Sequence, residues 1–315
     1  MKSTCFSRLS MFVVVLAMVF LAEFTGEKEI IFPEVAALSV GCFLTPALVW
    51  KTSYIRMFLS ISVCALLGVL IVIFVPFPLW GQFVLAFVIG QIILYFSRTS
   101  FAPMISAIAL PVLIQTRSFV YVGAAIGLTL LVVILRFLLE KIHLKEENHF
   151  ETVAIEPKEA LKVNLFRVIS VALLAFFCIK FDVRFCVAPP LLVAFTELTN
   201  KSSKAAKKAF SVIALVSLCA LCGSVSRILL SAFPFFPLTV AAFFACVCVQ
   251  ILVKIFALPF PPAAAMSILA LLIPETAVKF YPMQVAAGIS VLTMLALGWK
   301  WARDCQEHKI HPWIL

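Results

Sequence analysis

Long, uninterrupted apolar runs constrain this chain more than any other feature. A typical run, VCALLGVLIVIFV at residues 63–75, is apolar on every side. Membrane β-strands alternate apolar and polar residues over about ten positions, so these runs indicate helices. Hydrophobic residues make up 64% of the chain and charged residues 13%, whereas soluble domains are about half apolar and a quarter charged. The sequence therefore predicts an all-α, polytopic transmembrane helical bundle whose main partner is the lipid bilayer.

Twelve apolar segments are present, and they predict about 12 helices. They cover roughly residues 9–24, 31–49, 55–75, 79–96, 101–116, 118–140, 163–181, 185–199, 207–231, 236–257, 260–274 and 277–300. Several reach the roughly 20 residues that a helix needs to span a bilayer. The second and fifth segments of each half are short or are broken by proline.

The positive charges have a strong bias in this arrangement. If the N-terminus is cytoplasmic, most lysines and arginines fall on the cytoplasmic side, as the positive-inside rule requires. The net charge of +10 is therefore attributed to topology, and no nucleic-acid partner is predicted. We expect a multi-pass protein of the plasma (cytoplasmic) membrane with both termini in the cytoplasm. Lys2 and Arg8 before the first run also fit a signal peptide, but we favour a retained first helix because the second half has an equivalent.

The two halves of the chain resemble each other. CALLG at residues 64–68 corresponds to CALCG, FAPMISA at 101–107 to FPPAAAM, and FPEVAAL at 32–38 to APPLLVA, with offsets of about 155 to 160 residues. Each half contains an even number of predicted helices, so both halves enter the membrane in the same direction. The sequence predicts two parallel six-helix transmembrane repeats, 1–140 and 163–315, joined by a cytoplasmic linker at 141–162. Internal duplication is common in secondary transporters.

Several of these motifs resemble the HPP family of integral membrane proteins. They are Ala-Pro-Pro at 188–190, the helix of Gly223, Phe-Pro-Pro-Ala-Ala-Ala at 260–265 and YPMQVAAG at 281–288. The resemblance covers most of 185–300 and, weakly, 31–138, and it implies a tandem, diverged relative. Some members of that family are associated with nitrite transport. The histidine of the family motif is replaced here by Phe260, and any role tied to its imidazole is absent.

Proline begins the short segments of both halves. A helix that begins below the membrane surface points free N–H groups and a positive dipole end into the protein, and such an end binds anions. We therefore predict that a small anion or carboxylate binds between the repeats. The predicted substrate-binding residues are Phe101, Pro103, Ser106, Phe260, Pro262, Ala263 and Ser267, with Arg227 as a cation and Gln91 and Gln250 as polar groups. The alternative is that the prolines only shape turns and let Ala-rich helices pack closely.

Two acidic residues near apolar runs are candidates for proton coupling, because burial of a charge in lipid is costly. Glu34 follows Pro33 in the first turn of its helix, where a carboxylate near the outer surface also complements the dipole. Glu197 is near the inner end of its segment, where it could instead pair with Lys201.

No enzymatic signature stands out in the sequence. The four histidines have no metal-ligand spacing, and nucleotide-binding and nucleophile motifs are absent, so we predict no catalytic residues, metal or cofactor. The predicted function is a secondary, not ATP-driven, transporter or permease for a small solute, with a nitrite-like or small carboxylate anion favoured. The chain could also form a homo-oligomer. The alternative is a non-transporting membrane scaffold or accessory subunit that uses residues 141–162 as its docking surface.

Overall fold

The computed structural model describes residues 2–154, 156–201, 203–231 and 236–310, and every regular element in these ranges is helical. The α-helices are α1 (Lys2–Thr25), α2 (Glu34–Ser39), α3 (Tyr54–Phe74), α4 (Leu79–Ser97), α5 (Pro103–Ile114), α6 (Phe119–Lys141), α7 (Pro157–Lys180), α8 (Pro189–Leu198), α9 (Ala209–Ser231), α10 (Leu238–Ile255), α11 (Pro261–Leu272), α12 (Glu275–Val278) and α13 (Tyr281–Ile310). A π-helical turn, Val40–Leu44, continues α2. The prediction of an all-helical chain is confirmed.

Eight of the described helices are long and apolar enough to cross a membrane, judged by length and composition. They are α1, α3, α4, α6, α7, α9, α10 and α13. These helices indicate an integral membrane protein, and each coincides with one of the predicted apolar segments. The other four predicted segments contain the short helices α2, α5, α8 and α11. The last five residues of the predicted second repeat, 311–315, lie outside the described ranges.

The four short helices meet in the core of the protein. α2 packs against α5, α5 against α8, α8 against α11, and α11 against α2, so the contacts form a closed ring. α5 is buried along nearly its whole length, and so is α11. Each of these two helices begins at proline, whose missing N–H costs nothing in the first turn. The long helices surround this ring and expose large apolar side chains such as Phe96 and Leu229.

Helix contacts between the two halves of the chain come in matched pairs. α1, the first long helix, packs against α10, and α7, its counterpart in the second half, packs against α4. In the same way α2 packs against α11 and α8 packs against α5. Each half therefore contributes the same four elements, its first, second, fourth and fifth helices, to its contact with the other half.

Two tyrosines hold the short helices in the same way. The Tyr121 hydroxyl donates to the Ala107 carbonyl at 2.9 Å, and the Tyr281 hydroxyl donates to the Met266 carbonyl at 2.8 Å. Tyr121 also packs edge-on against Phe32, with ring centroids 5.7 Å apart. These bonds fasten α5 to α6 and α11 to α13.

Glycine permits close packing at matched positions of α3 and α9. A Cβ atom on Gly68 would lie 2.5 Å from the Ile108 carbonyl oxygen, and one on Gly223 would lie 2.1 Å from the Ser267 carbonyl oxygen. Such distances leave no room for a methyl group, so α3 and α9 contact α5 and α11 backbone to backbone.

The segment between α6 and α7 lies against its own chain. Lys145 Nζ donates to the Phe43 and Thr45 carbonyls at 2.6 and 2.7 Å, and the Asn148 amide donates to the Thr52 carbonyl at 2.9 Å. Further along, the Val153 N–H donates to the Arg98 carbonyl. Much of the predicted linker is therefore bound to the loop after α2 and to the end of α4.

Candidate functional site

Glu34 is a buried carboxyl group at the first residue of α2. Its side chain is 1% exposed, and its Oε1 accepts a hydrogen bond from the Ser106 hydroxyl on α5. Its Oε2 is buried and has no hydrogen-bond partner among the described residues. Burying an isolated carboxylate is very costly, whereas a neutral carboxyl group is tolerated. Protonation therefore decides whether the buried Glu34 side chain carries a charge.

A second carboxyl group is bound by a tryptophan that packs beside the start of α5. Glu197, near the end of α8, accepts a hydrogen bond of 3.0 Å from the Trp50 indole N–H. Trp50 is 3% exposed and packs edge-on against Phe101, with ring centroids 5.2 Å apart. A Cβ atom on Gly41 would lie 2.3 Å from the Trp50 ring, so glycine makes room for the indole.

The first turns of α5 connect these two carboxyl groups. Phe101 lies two residues before α5 and contacts Trp50, which binds Glu197, while Ser106 within α5 binds Glu34. We call Glu34, Trp50, Phe101, Ser106 and Glu197 the α5-head cluster. It places two acidic groups and a hydroxyl group around one buried helix, and each carboxyl group can bind or release a proton.

The corresponding part of α11 has different chemistry. In the aligned motifs, Glu34 corresponds to Pro190 and Ser106 corresponds to Ala265. The predicted site residues Phe260, Pro262, Ala263 and Ser267 are all buried in the core around α11. The Ser267 hydroxyl has no hydrogen-bond partner among the described residues. The second half therefore lacks the carboxyl–hydroxyl pair at the positions that correspond to Glu34 and Ser106.

The predicted cation Arg227 is a residue of α9, and its side chain contacts the C-terminal end of α11. One guanidinium nitrogen donates to the Ala270 and Ile273 carbonyls at 2.7 and 2.5 Å. Carbonyls at a helix end lack helical partners and carry the negative end of the dipole, so this arginine caps the buried helix. These bonds occupy a donor that the sequence analysis assigned to an anion.

Arg167, a buried residue of α7, caps the C-terminal end of α8 in the same way. Its guanidinium donates to the Thr196 carbonyl at 2.9 Å, to the Thr199 hydroxyl at 2.7 Å and to the Asn200 side chain at 2.7 Å. It also donates to the side chain of Gln91 at 3.1 Å. All of these acceptors are neutral.

The two predicted glutamines occupy related positions next to arginines. Gln91 is buried and donates to the Thr196 hydroxyl at 3.0 Å while accepting from Arg167. Gln250 is half-buried and donates to the Arg8 carbonyl at 3.3 Å. Both residues therefore link the fourth helix of one half to elements of the other half.

Five of the predicted residues thus belong to one neighbourhood: Glu34, Phe101, Pro103, Ser106 and Glu197. Sequence reasoning missed Trp50, because a tryptophan followed by Lys51 between two apolar segments is typical of a membrane interface. It also missed Arg167, which stands in a lysine-rich stretch where a topological role explains it equally well. Neither position carries a spacing signal that would reveal its long-range partner.

Comparisons with models of known protein families, with curated proteins and with solved structures found no match. The α5-head cluster is therefore interpreted from its own chemistry.

Proposed function

We propose that this protein is a secondary transporter for a small solute and that Glu34 is its proton-binding residue. The observation that carries the proposal is the buried Glu34 carboxyl group, which has one oxygen bound by Ser106 and the other without a described partner. Ionisable residues inside membrane proteins are rare and mark substrate or proton pathways. A structural carboxyl group of this kind would be expected to have both oxygens satisfied.

The proposed architecture is a pair of parallel six-helix repeats that pack around the ring of short helices. The matched contacts of α1 with α10 and of α7 with α4 support this arrangement. So do the matched hydrogen bonds of Tyr121 and Tyr281. In secondary transporters, substrate and coupling-ion sites lie at the repeat interface and involve short or interrupted helices.

The proposed solute is a small anion that moves together with a proton. Co-transport of a proton cancels the charge of a nitrite-like ion or a small carboxylate, so the pair crosses the membrane without net charge. The choice of an anion rests on the resemblance to the HPP family, and membership of that family is part of the proposal. The anion's own ligands are left open, because Arg227 and Arg167 donate to protein groups.

The experiment is anion uptake into liposomes that contain the purified full-length chain and a pH-sensitive dye. Nitrite and lactate are tested first, with an inward proton gradient, and protein-free liposomes correct for leakage of the neutral acids. We expect uptake that the proton gradient accelerates. Glu34→Gln should remove this acceleration, whereas Glu27→Gln, the same change at an exposed position, should leave it intact.

Two results would overturn the proposal. One is the absence of uptake above the protein-free control for a broad panel of small anions. The other is unchanged proton dependence in folded Glu34→Gln protein. In the scaffold alternative the protein would instead co-purify with a partner bound to residues 141–162. The contacts of Lys145 and Asn148 with their own chain give that segment a role within the protein.

A further inference from the structure

The end of α13 carries a cluster of hydrogen-bond donors that lack acceptors. Trp299 and Arg303 are one helical turn apart, so they share a face of the helix. The indole N–H of Trp299 and the Nε–H of Arg303 are both buried, and neither has a hydrogen-bond partner among the described residues. The Trp299 ring is fixed by stacking on Phe166 of α7, with centroids 4.5 Å apart. Buried donors are normally satisfied, so these two require an explanation.

The charges around these donors are mainly positive. The side chain of Lys300 interacts electrostatically with Arg303 and with Lys207, which belongs to the 3₁₀ turn Ala205–Lys208 packed against α13. Asp304 is the acidic group that also acts on Lys300. Neither Lys300 nor Arg303 forms an ion pair with a described carboxylate. Among the described side chains, Lys207, Lys300 and Arg303 outnumber the one acid, Asp304, and two N–H donors are unused. Such a group of residues can bind a ligand that offers oxygen acceptors and negative charge.

Exposed aromatic residues at the same end of the molecule indicate where that group comes from. Phe210, just after the 3₁₀ turn, is 90% exposed, and Trp301 is 71% exposed. Aromatic side chains concentrate at the membrane–water interface, and basic clusters at that level attract anionic lipid headgroups. Lys300 therefore lies beside an exposed tryptophan, a residue type enriched at this interface, and Lys207 lies near the exposed Phe210.

We propose that Lys207, Trp299, Lys300 and Arg303 form a binding site for a phosphate group, supplied by an anionic phospholipid headgroup. The cations attract the phosphate, and a side-chain rotation that uncovers the buried N–H groups of Trp299 and Arg303 lets them donate to its oxygens. Charge-assisted hydrogen bonds of this kind are the strong ones. The site is separate from the α5-head cluster and does not depend on transport.

The test measures binding of phosphatidylglycerol to the full-length chain in phosphatidylcholine nanodiscs, and of inorganic phosphate to the same nanodiscs without phosphatidylglycerol. Replacing Lys207, Lys300 and Arg303 by glutamine should weaken phosphatidylglycerol binding roughly 100-fold, since each basic residue near anionic lipid contributes roughly fivefold. The matched control replaces three exposed lysines, Lys51, Lys141 and Lys158, and should change binding little.

Trp299→Phe is the second variant, because it keeps an aromatic ring against Phe166 while removing the N–H donor. It should weaken binding several-fold while leaving the melting temperature in phosphatidylcholine unchanged. Binding of inorganic phosphate alone, lost in the same variants, would support the site and identify a soluble phosphate as its source. Equal losses in the site and control variants, or no saturable binding of either ligand, would overturn the proposal.

Discussion

Arg136 and Glu140 form a buried ion pair on α6, with 2.8 Å between Nε and Oε1. The Tyr54 hydroxyl donates to the same Glu140 oxygen, and the Arg136 guanidinium also donates to the Cys42 carbonyl at 2.6 Å. This pair therefore fastens α6 to α3 and to the end of the π-helical turn. A removed partner would leave the other charge buried and uncompensated.

Arg136→Met should lower the free energy of unfolding by about 3–5 kcal/mol, the usual loss when one partner of a buried pair is removed. Unfolding in detergent measures the change. The control is Lys162→Met, which breaks an exposed pair with Glu159 at 3.3 Å and should cost less than about 1 kcal/mol. Similar losses in the two variants would contradict a buried, energetically important pair.

Trp50 should move when Gly41 is replaced by alanine. The new Cβ would lie 2.3 Å from the indole ring, so the ring must shift and its bond to Glu197 should weaken. We expect a loss of about 1–3 kcal/mol, which is typical of overpacking, and a change in tryptophan fluorescence that disappears in the Trp50→Phe background. Gly127→Ala is the control, because nothing lies within 4 Å of its added Cβ.

The hydroxyl groups of Tyr121 and Tyr281 should contribute equally to stability. Each donates to one backbone carbonyl of a buried short helix, so each change to phenylalanine should cost about 1 kcal/mol. Thermal melting of the two variants, with Tyr95→Phe as control, measures the effect. A loss confined to one half of the chain would argue against equivalent packing of α5 and α11.

Lys145 should make stability depend on alkaline pH. Partial burial, aided by the Arg136 charge, lowers the pKa of Lys145 to about 8 from 10.5. Between these values the unfolded chain binds more protons than the folded protein, so the Lys145 contribution to stability rises as pH increases through this window. Melting temperatures should be measured at pH 7.5, 8.5 and 9.5. The melting temperature of the wild type should rise relative to that of Lys145→Met as the pH increases. A difference that stays constant, or that changes equally in Lys141→Met, would contradict this.

Much of the fold was predictable because its signals are local. Each predicted apolar segment contains a helix, since apolar length alone decides whether a helix such as α3 can span a bilayer. Proline likewise marks the start of α5 and α11 through its own ring geometry. The sequence analysis also selected Glu34 and Glu197 as acidic residues near apolar runs, but it offered no way to decide which other side chains they contact.

The amino-acid sequence by itself determined the helical class, the apolar segments and the candidate acidic residues, because hydrophobicity and backbone propensity act over a few consecutive residues. Only the tertiary structure decided that Ser106 binds Glu34, that Trp50 binds Glu197, and that Arg227 caps α11. These contacts join residues far apart in the chain, and their partners are selected by how the short helices pack against one another. That packing follows from the shape of whole helix faces, which no single motif encodes.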